Sequence, residues 1–134
     1  MALVEAPALD WRREREINRL PSVETQLVVW IDALERGEAG RSVTLKRGGF
    51  KVYVRRAVRW AGDKKLTMLV IANVTVPPHL QRRGWFTAFR RLAECVHPWE
   101  ATSYESVINP HLRDNLMRSG LTPDGEGGFY VVKR

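Results

Sequence analysis

The stretch from Val76 to Thr87 combines prolines, basic residues and a glycine in an order that favours anion binding. It follows an apolar run and leads into an amphipathic pattern, so it is a predicted strand–loop–helix connection. The first turn of a helix carries unpaired backbone N–H groups and a partial positive charge. Arg82 and Arg83 add positive charge, and Gly84 lets the backbone approach a bulky group. The Thr87 hydroxyl can donate a hydrogen bond, and these features together predict a pyrophosphate site.

Four titratable side chains near the predicted cleft are candidates for proton transfer. Tyr104 and Glu105 lie on the following predicted strand, His79 lies in the loop and His111 lies in the last predicted helix. Surface positions are the alternative for the histidines. Because the three histidines of the chain have no clustered carboxylates beside them, no metal site is expected.

Positive charge is concentrated in the middle of the chain. The formal net charge is +7, and residues 41–65 hold nine basic groups against one acidic group. Arg55 and Arg59 share one face of a predicted strand, whereas Arg56 falls on the apolar face, where it would need a partner and could bind an acidic substrate group. Arginine favours bidentate contacts to phosphate or carboxylate. These three residues predict a docking surface for an acidic protein, with nucleic acid as the second choice and a solvated edge as the alternative.

Length and composition exclude several protein classes. The chain has 134 residues and 44% hydrophobic content, which suits one compact domain. No run approaches the roughly 20 apolar residues of a membrane span. The first residues do not resemble a secretion signal, so a cytoplasmic protein is expected. Cys95 is the only cysteine, which excludes an internal disulfide, and it is expected to pack as a small hydrophobe.

The N-terminal half is expected to contain an arm, a helix, a hairpin and a core strand. Residues 1–20 are interpreted as a loosely defined arm with a short helix around Trp11 to Leu20, and residues 21–134 as the domain. Ser22 is the predicted N-cap of an amphipathic helix. The apolar residues of that helix are Val23, Leu27, Trp30, Ile31 and Leu34.

Two alternating runs around the turn Arg47-Gly48-Gly49 predict a hairpin. The residues expected on one apolar side of its second strand are Phe50, Val52, Val54, Val58 and Trp60. The run from Leu66 to Val76 is apolar on both faces, which is typical of a central strand.

Strand and helix patterns alternate in the C-terminal half. A helix from Trp85 stops before Pro98, a strand covers Ala101 to Ile108, and a second helix covers residues 109–120. The apolar face expected on that second helix comprises Leu112, Leu116 and Met117. A final strand is expected over residues 129–132, and the scattered tryptophans Trp11, Trp30, Trp60 and Trp99 are expected to pack. The pattern predicts a single-domain α/β fold, α+β by some conventions, with a mixed, mostly antiparallel twisted sheet and helices on both faces.

The loop over residues 76–87 resembles the acyl-CoA pyrophosphate loop of the GNAT family of N-acetyltransferases, whose signature is Q/R-x-x-G-x-G/A. Gln81 and Gly84 match the first two fixed positions, and Pro78 matches the usual preceding proline. Phe86 stands where the family has Gly or Ala. Its ring must therefore point away from the cofactor and into the core, while its backbone N–H stays available. The resemblance implies an acyl-CoA N-acyltransferase-like fold.

A second stretch agrees with the same family. Asn109, Leu112, Leu116, Gly120 and Leu121 fall where the family has N-x-x-A, an aromatic residue and a closing Gly-Phe. The resemblance implies that Asn109 contacts the pantetheine arm of the cofactor. The alternative is that this asparagine only caps the following helix.

The resemblance implies that acetyl-CoA binds across the loop and that an acetyl group passes to an amine of an unidentified acceptor, by direct attack in a ternary complex. The cofactor-binding residues that it implies are Val74, Val76, Gln81, Arg82, Arg83, Gly84, Trp85, Phe86, Thr87 and Asn109. The family's usual tyrosine acid is replaced by Leu116, and the central strand has no carboxylate to serve as the usual base. The alternative function is therefore a catalytically weak or inactive GNAT-fold interaction module that binds a protein or nucleic acid through Arg55, Arg56 and Arg59.

Overall fold

The computed structural model describes residues 13–105 and 110–133. Residues 13–17 are helical and are called α1. The elements that follow are α2 (Val23–Glu35), β1 (Ser42–Arg47), β2 (Phe50–Ala61), β3 (Lys64–Thr75), a 3₁₀ turn (Pro78–Leu80), α3 (Trp85–Val96), β4 (Ala101–Tyr104), α4 (Pro110–Arg118), β5 (Thr122–Pro123) and β6 (Phe129–Val132). Asn109 and the expected end of a strand at Ile108 lie outside the described residues.

The described strands form one sheet in the order β1-β2-β3-β4-β6-β5. Neighbouring strands are antiparallel except β3 and β4, which run parallel and pair residues 68–71 with residues 101–104. The backbone N–H of Glu105 continues this parallel ladder by donating to the Ile71 carbonyl over 2.9 Å. The predicted mixed, mostly antiparallel sheet is confirmed, and β3 is a central strand as expected.

The main core lies between one face of the sheet and the described helices. In α2, all five predicted apolar residues are buried. Ser22 caps this helix because its hydroxyl oxygen accepts from the Thr25 N–H over 3.1 Å. Helix α3 contributes Phe86, Phe89 and Ala93 to the same core, and α4 contributes Leu116. The described helices thus share one face, whereas helices were expected on both.

The opposite face of the sheet, called the second face here, has a smaller apolar cluster. Its buried members come from β2, β3 and β4: Ala61, Met68, Val70 and Ala101. Partly buried Ala57, Leu66 and Tyr130 pack against them. Within residues 13–105 and 110–133, no helical residue belongs to this cluster.

Residues before the expected domain boundary at residue 20 already pack on the sheet. Ile17 is buried in the main core. The Asn18 amide donates to the Thr44 carbonyl over 2.9 Å, and the Glu14 carboxylate accepts from the Thr44 N–H over 2.8 Å. The described part of the arm is therefore tied to β1, through contacts across 26 to 30 residues that no local pattern encodes.

Four residues expected to pack are exposed instead: Val58, Trp60, Cys95 and Met117. Val58 and Trp60 lie on the helix side of β2, but the main core includes this strand only as far as Val54. Cys95 lies two residues, about 200° of helix, from buried Ala93. Met117 is likewise turned about 100° from buried Leu116, so the expectation of packing was wrong at these positions.

None of the helices in the described ranges is long and apolar enough to cross a membrane.

His97 is a buried histidine after α3, with 1% of its surface exposed. Its Nδ1 accepts from the Trp99 N–H over 3.0 Å, so the ring proton lies on Nε2 and is donated to the Thr102 hydroxyl over 2.7 Å. Burial, with a smaller contribution from the positive charge of Lys133, lowers the pKa of His97 to about 4. The neutral ring is therefore part of the folded state.

We expect His97 to make folding stability depend on pH in a defined window. In the unfolded chain the imidazole takes up a proton as the pH falls below about 6.5, whereas in the folded protein it stays neutral until about pH 4. The contribution of His97 to the free energy of unfolding is therefore fully present above about pH 6.5 and is lost as the pH falls toward about 4. Between pH 7 and pH 5 this histidine should account for a loss of about 2 kcal/mol in the free energy of unfolding. Urea denaturation of wild type and His97→Gln at both pH values measures it, because the variant lacks this contribution.

Equal losses in the two proteins between pH 7 and pH 5 would contradict the assignment. If the variant does not fold, an NMR titration of the wild-type imidazole decides the question, since protonation near pH 6.5 would show that the ring is not held neutral.

Candidate functional site

A cleft of about 530 Å³ opens where β3 ends and α3 begins. Its walls are the end of β3, the loop before α3, the first turn of α3 and one side of α4. Eight of the ten residues predicted to bind a cofactor line this cleft. Of the other two, Arg83 is exposed and does not line it, and Asn109 is outside the described ranges.

A bulge in β3 turns the strand toward the cleft. Between the pairs Tyr53–Ala72 and Lys51–Thr75, β3 has one more residue than β2. Asn73 has a φ of 50° there, in the left-handed region that asparagine tolerates better than most residues. Without the extra residue, strict alternation from Ile71 would place Val74 on the second face; with it, Val74 packs against the main core and lines the cleft.

The loop before α3 is held by its own residues. The Gln81 side-chain amide donates to the Val76 carbonyl over 3.0 Å and closes the loop. Arg82 and Gly84 have φ values of 63° and 85°. Gly84 is the N-cap of α3, and in the described structure no side chain caps the helix and no acidic residue lies in its first turn. The first N–H groups of α3 therefore offer an anion site at the cleft.

A threonine and an asparagine meet across the cleft. The Asn115 Nδ2 group of α4 donates to the Thr87 hydroxyl oxygen of α3 over 2.8 Å. Thr87 therefore keeps its own O–H as a free donor. Asn115 Oδ1 is buried without a hydrogen-bond partner, which is a costly state for an acceptor beside a cleft.

Trp85 and Phe86 at the start of α3 line the cleft, and their rings also pack against the core, as expected for Phe86. Phe86 is buried, and its ring meets the edge of Tyr104 at 6.0 Å. Trp85 stacks on Phe89 at 4.9 Å and donates its indole N–H to Glu24 over 2.8 Å. Both side chains anchor α3 to the core, and the ring of Phe86 does not close the cleft.

Three polar residues on the cleft side of α4 were not predicted from the sequence. Asp114, Asn115 and Arg118 line the cleft together with the predicted candidate His111. Their spacing of three and four residues, opposite buried Leu116, is the helical pattern that could have revealed this polar side.

Tyr104 lies in the core and does not line the cleft. Its hydroxyl donates to Glu94 over 2.5 Å, and Glu94 also pairs with Arg90 at 2.9 Å. Burial and the neighbouring Glu94 carboxylate raise the pKa of Tyr104 well above its usual value. The phenol is therefore held protonated as part of a buried network between α3 and β4.

Glu105 lies on the second face between two arginines of β2. Its carboxylate accepts two hydrogen bonds from Arg55, at 3.1 and 2.6 Å, and one from Arg59 at 2.8 Å. The hydrogen bonds from Arg55 lower the pKa of Glu105. Such a carboxylate is a weaker proton acceptor than a free one, and neither it nor His79 lines the cleft.

Arg56 is separated from the other two arginines of the predicted docking surface. It lies on the opposite side of β2, 3.8 Å from the Glu35 carboxylate and 5.9 Å from the Trp99 ring. It does not line the cleft. The three arginines therefore do not form one free basic patch.

The chain has a GNAT-like fold, as the sequence predicted, with the parallel β3–β4 pair and the loop leading into α3 in the expected order. The chain superposes with a TM-score of 0.51 and 12% identity on the AtaT Y144F mutant toxin bound to the C-terminus of the antitoxin AtaR. The match covers 63% of this chain and 58% of the toxin chain. A structure of the same toxin mutant with the antitoxin C-terminus and acetyl-CoA gives a TM-score of 0.48 and 10% identity over the same shares. No protein-family model and no curated protein matches the chain.

The bulge residue offers a test of how the cleft is built. Asn73→Val places a β-branched side chain at a φ of 50°, so we expect the free energy of unfolding to fall by about 1–2 kcal/mol. Asn73→Gly is the matched control, because glycine adopts this φ without strain. Urea denaturation of both variants measures the difference, and a Val variant as stable as the Gly variant would show that the left-handed conformation is not required.

Proposed function

We propose that this protein is an acetyl-CoA-dependent N-acetyltransferase that acylates an amine by direct attack. The observation that carries the proposal is the uncapped N-terminus of α3, which opens into the cleft behind a loop with left-handed Arg82 and Gly84. Backbone N–H groups at such a helix end favour a pyrophosphate. A pyrophosphate beside the end of a bulged strand is the arrangement that the GNAT-like fold implies for an acyl-CoA.

The polar groups of the cleft fit an acyl-CoA. Arg82, the Thr87 hydroxyl and the first N–H groups of α3 suit the pyrophosphate. The buried Asn115 Oδ1 lacks a donor, and an amide N–H of a pantetheine arm is a group that could supply one after a small side-chain movement. Val74 and Val76 would flank that arm with their main-chain groups. When bound, acetyl-CoA would supply the acetyl group, because attack by the amine forms an amide bond while the thioester C–S bond breaks and coenzyme A leaves as its thiol.

The chain must still hold the acceptor amine and accept its proton. Among the described residues that line the cleft, His111 carries an imidazole and Asp114 a carboxylate, the two side-chain types there that can accept a proton from an amine. They are one turn apart on α4. We therefore assign the proton acceptor to His111, with direct attack needing mainly correct positioning of the amine. Tyr104 and Glu105 are less suited, because their side chains bind Glu94 and the β2 arginines.

The alternative of an inactive interaction module draws less support from the site. Its expected docking residues Arg55 and Arg59 both bind Glu105, and Arg56 lies on the other side of the strand near Glu35. These contacts neutralise part of the positive charge that the sequence concentrates there.

The proposal is tested by calorimetric titration with acetyl-CoA. Wild type should bind acetyl-CoA, and Arg82→Glu/Arg83→Glu should bind at least about tenfold more weakly, because two cations beside the anion site become anions. The matched control is Arg41→Glu/Arg91→Glu, which makes the same change in net charge at exposed positions away from the cleft. An inorganic polyphosphate titration measures unspecific charge attraction.

Absence of acetyl-CoA binding by the wild type, or an equal loss of affinity in the two variants, would contradict the proposed function. Equal affinity for polyphosphate and acetyl-CoA would show that the cleft binds anions without selectivity for acetyl-CoA, and would also contradict the proposal.

The Thr87 hydroxyl should contribute to the same affinity. Thr87→Val removes the donor and leaves the Asn115 Nδ2 group without its acceptor, so we expect acetyl-CoA to bind about tenfold more weakly. Thr87→Ser keeps the hydroxyl and should bind as wild type does. Calorimetry on the three proteins, with thermal unfolding to check the fold, measures the effect. Equal affinity of the Val and Ser variants would show that the hydroxyl does not contact the ligand.

A further inference from the structure

Strand β2 extends beyond the strand that covers its outer edge. Strand β1 pairs with residues 50–55, and one further hydrogen bond runs from the Arg56 N–H to the Arg41 carbonyl over 2.8 Å. Residues 57–61 then pair with β3 on their inner side. Among the described residues, no strand pairs with their outer side. This five-residue segment is called the open edge.

The backbone groups of the open edge follow from strand geometry. Arg56 points its N–H toward β1, and the register with β3 stays regular from Arg56 to Ala61. In an antiparallel ladder, every second residue directs both its N–H and its C=O to the same side. Val58 and Trp60 therefore direct theirs outward, where no hydrogen bond to a described residue satisfies them. Such groups are a template for an added strand.

The side chains beside these groups are apolar and exposed. Val58 is 62% exposed and Trp60 is 64% exposed, on the same side of β2. The Lys65 ammonium lies 5.7 Å from the Trp60 ring and covers it only in part. An exposed tryptophan next to an unpaired backbone edge is a feature of docking surfaces, because aromatic residues supply much of the binding energy at interfaces.

The charges around the open edge favour an acidic occupant. The side chain of Arg59 points to the second face and is one-third exposed. It donates one hydrogen bond, to Glu105, and since a guanidinium has five N–H donors, the others are available to a ligand. Lys64 and Lys65 follow at the hairpin tip, and Arg41 lies at the start of the uncovered stretch, with Asp63 as the acidic residue of the tip. A second copy of the edge would oppose this excess of positive charge with the same charges, which is unfavourable across paired strands.

We propose that the open edge binds an extended acidic peptide of a partner protein as an added antiparallel strand. Alternate apolar side chains of the peptide pack on Val58 and Trp60, and the intervening acidic side chains face Arg59. Main-chain hydrogen bonds to Val58 and Trp60 supply the rest of the recognition. The open edge is separate from the cleft, and this proposal does not depend on the function proposed for the cleft.

Synthetic peptides test the proposal on the full-length protein. A dye-labelled heptapeptide of alternating Val and Glu is compared with one of alternating Val and Lys by fluorescence anisotropy, and we expect the Glu peptide to bind at least about tenfold more tightly. The peptide residues that lie opposite Val58 and Trp60 place their side chains on the same side of the sheet as these two residues, and they direct their own N–H groups to β2. Consequently, N-methylation of the Val residues should abolish binding, whereas N-methylation of the Glu residues should preserve it.

Two measurements on the protein locate the interaction. Hydrogen exchange followed by NMR should show fast exchange at the Val58 and Trp60 amides of the free protein, and at least about tenfold slower exchange when the Glu peptide is bound. The variant Val58→Thr/Trp60→Thr keeps good strand formers and should bind the peptide at least about tenfold more weakly. Far-UV circular dichroism checks that its fold is kept.

Four results would overturn the proposal. They are a Glu peptide that does not bind, equal binding of the Glu and Lys peptides, equal binding of the two N-methylated peptides, and unchanged exchange at the two amides. Sedimentation that shows a dimer of the wild type, lost in Val58→Thr/Trp60→Thr, would also overturn it by assigning the edge to a second copy of the chain.

Discussion

The site depends on how β3 divides its hydrogen bonds between its two neighbours. It stays paired with β2 as far as Thr75, and its described parallel ladder with β4 reaches the bond between Ile71 and Glu105. Within residues 13–105 and 110–133, no strand pairing with β4 is described for β3 after Ile71, and the extra residue at Asn73 changes which side chains face the helices. The cleft lies where this central strand, turned by its bulge, runs past its described pairing with β4. The loop and the first turn of α3 are positioned by the same strand end.

Pairing between arginines and carboxylates is the second constraint on the structure, because it determines which basic side chains remain able to bind a ligand or a partner. The carboxylates of Glu105 and Glu94 hold arginines of β2 and α3, respectively, inside the fold. These pairs lie on partly or fully buried surfaces, where an unpaired arginine would be costly. Arg82 lines the cleft, and Arg59 keeps unused donors beside the open edge. The net charge of the chain therefore says less about binding than the position of its few carboxylates.

Local patterns predicted most of the elements and the position of the loop before α3. Ser22 and the α2 apolar residues, the hairpin, the central strand and the loop before α3 depend on neighbours within a few residues, so their sequence is sufficient. The bulge at Asn73, the pairing of Glu105 and the bond between Asn115 and Thr87 depend on elements far apart in sequence. The exposure of Trp60 also escaped prediction, because strand alternation shows which side a residue is on but not whether a helix reaches that far.

The two surfaces lie at opposite ends of the same strand pair. Strand β3 begins at Lys64 beside the open edge and ends at Thr75 in the cleft, and at about 3.3 Å per residue these ends are roughly 35 Å apart. A five-residue strand on the open edge spans about 17 Å and does not reach the cleft. Peptide binding can therefore affect the cleft only indirectly, and β2 and β3 are the two paired strands that run from one site to the other. The two sites do not overlap, and the direct structural connection between them is the paired length of β2 and β3.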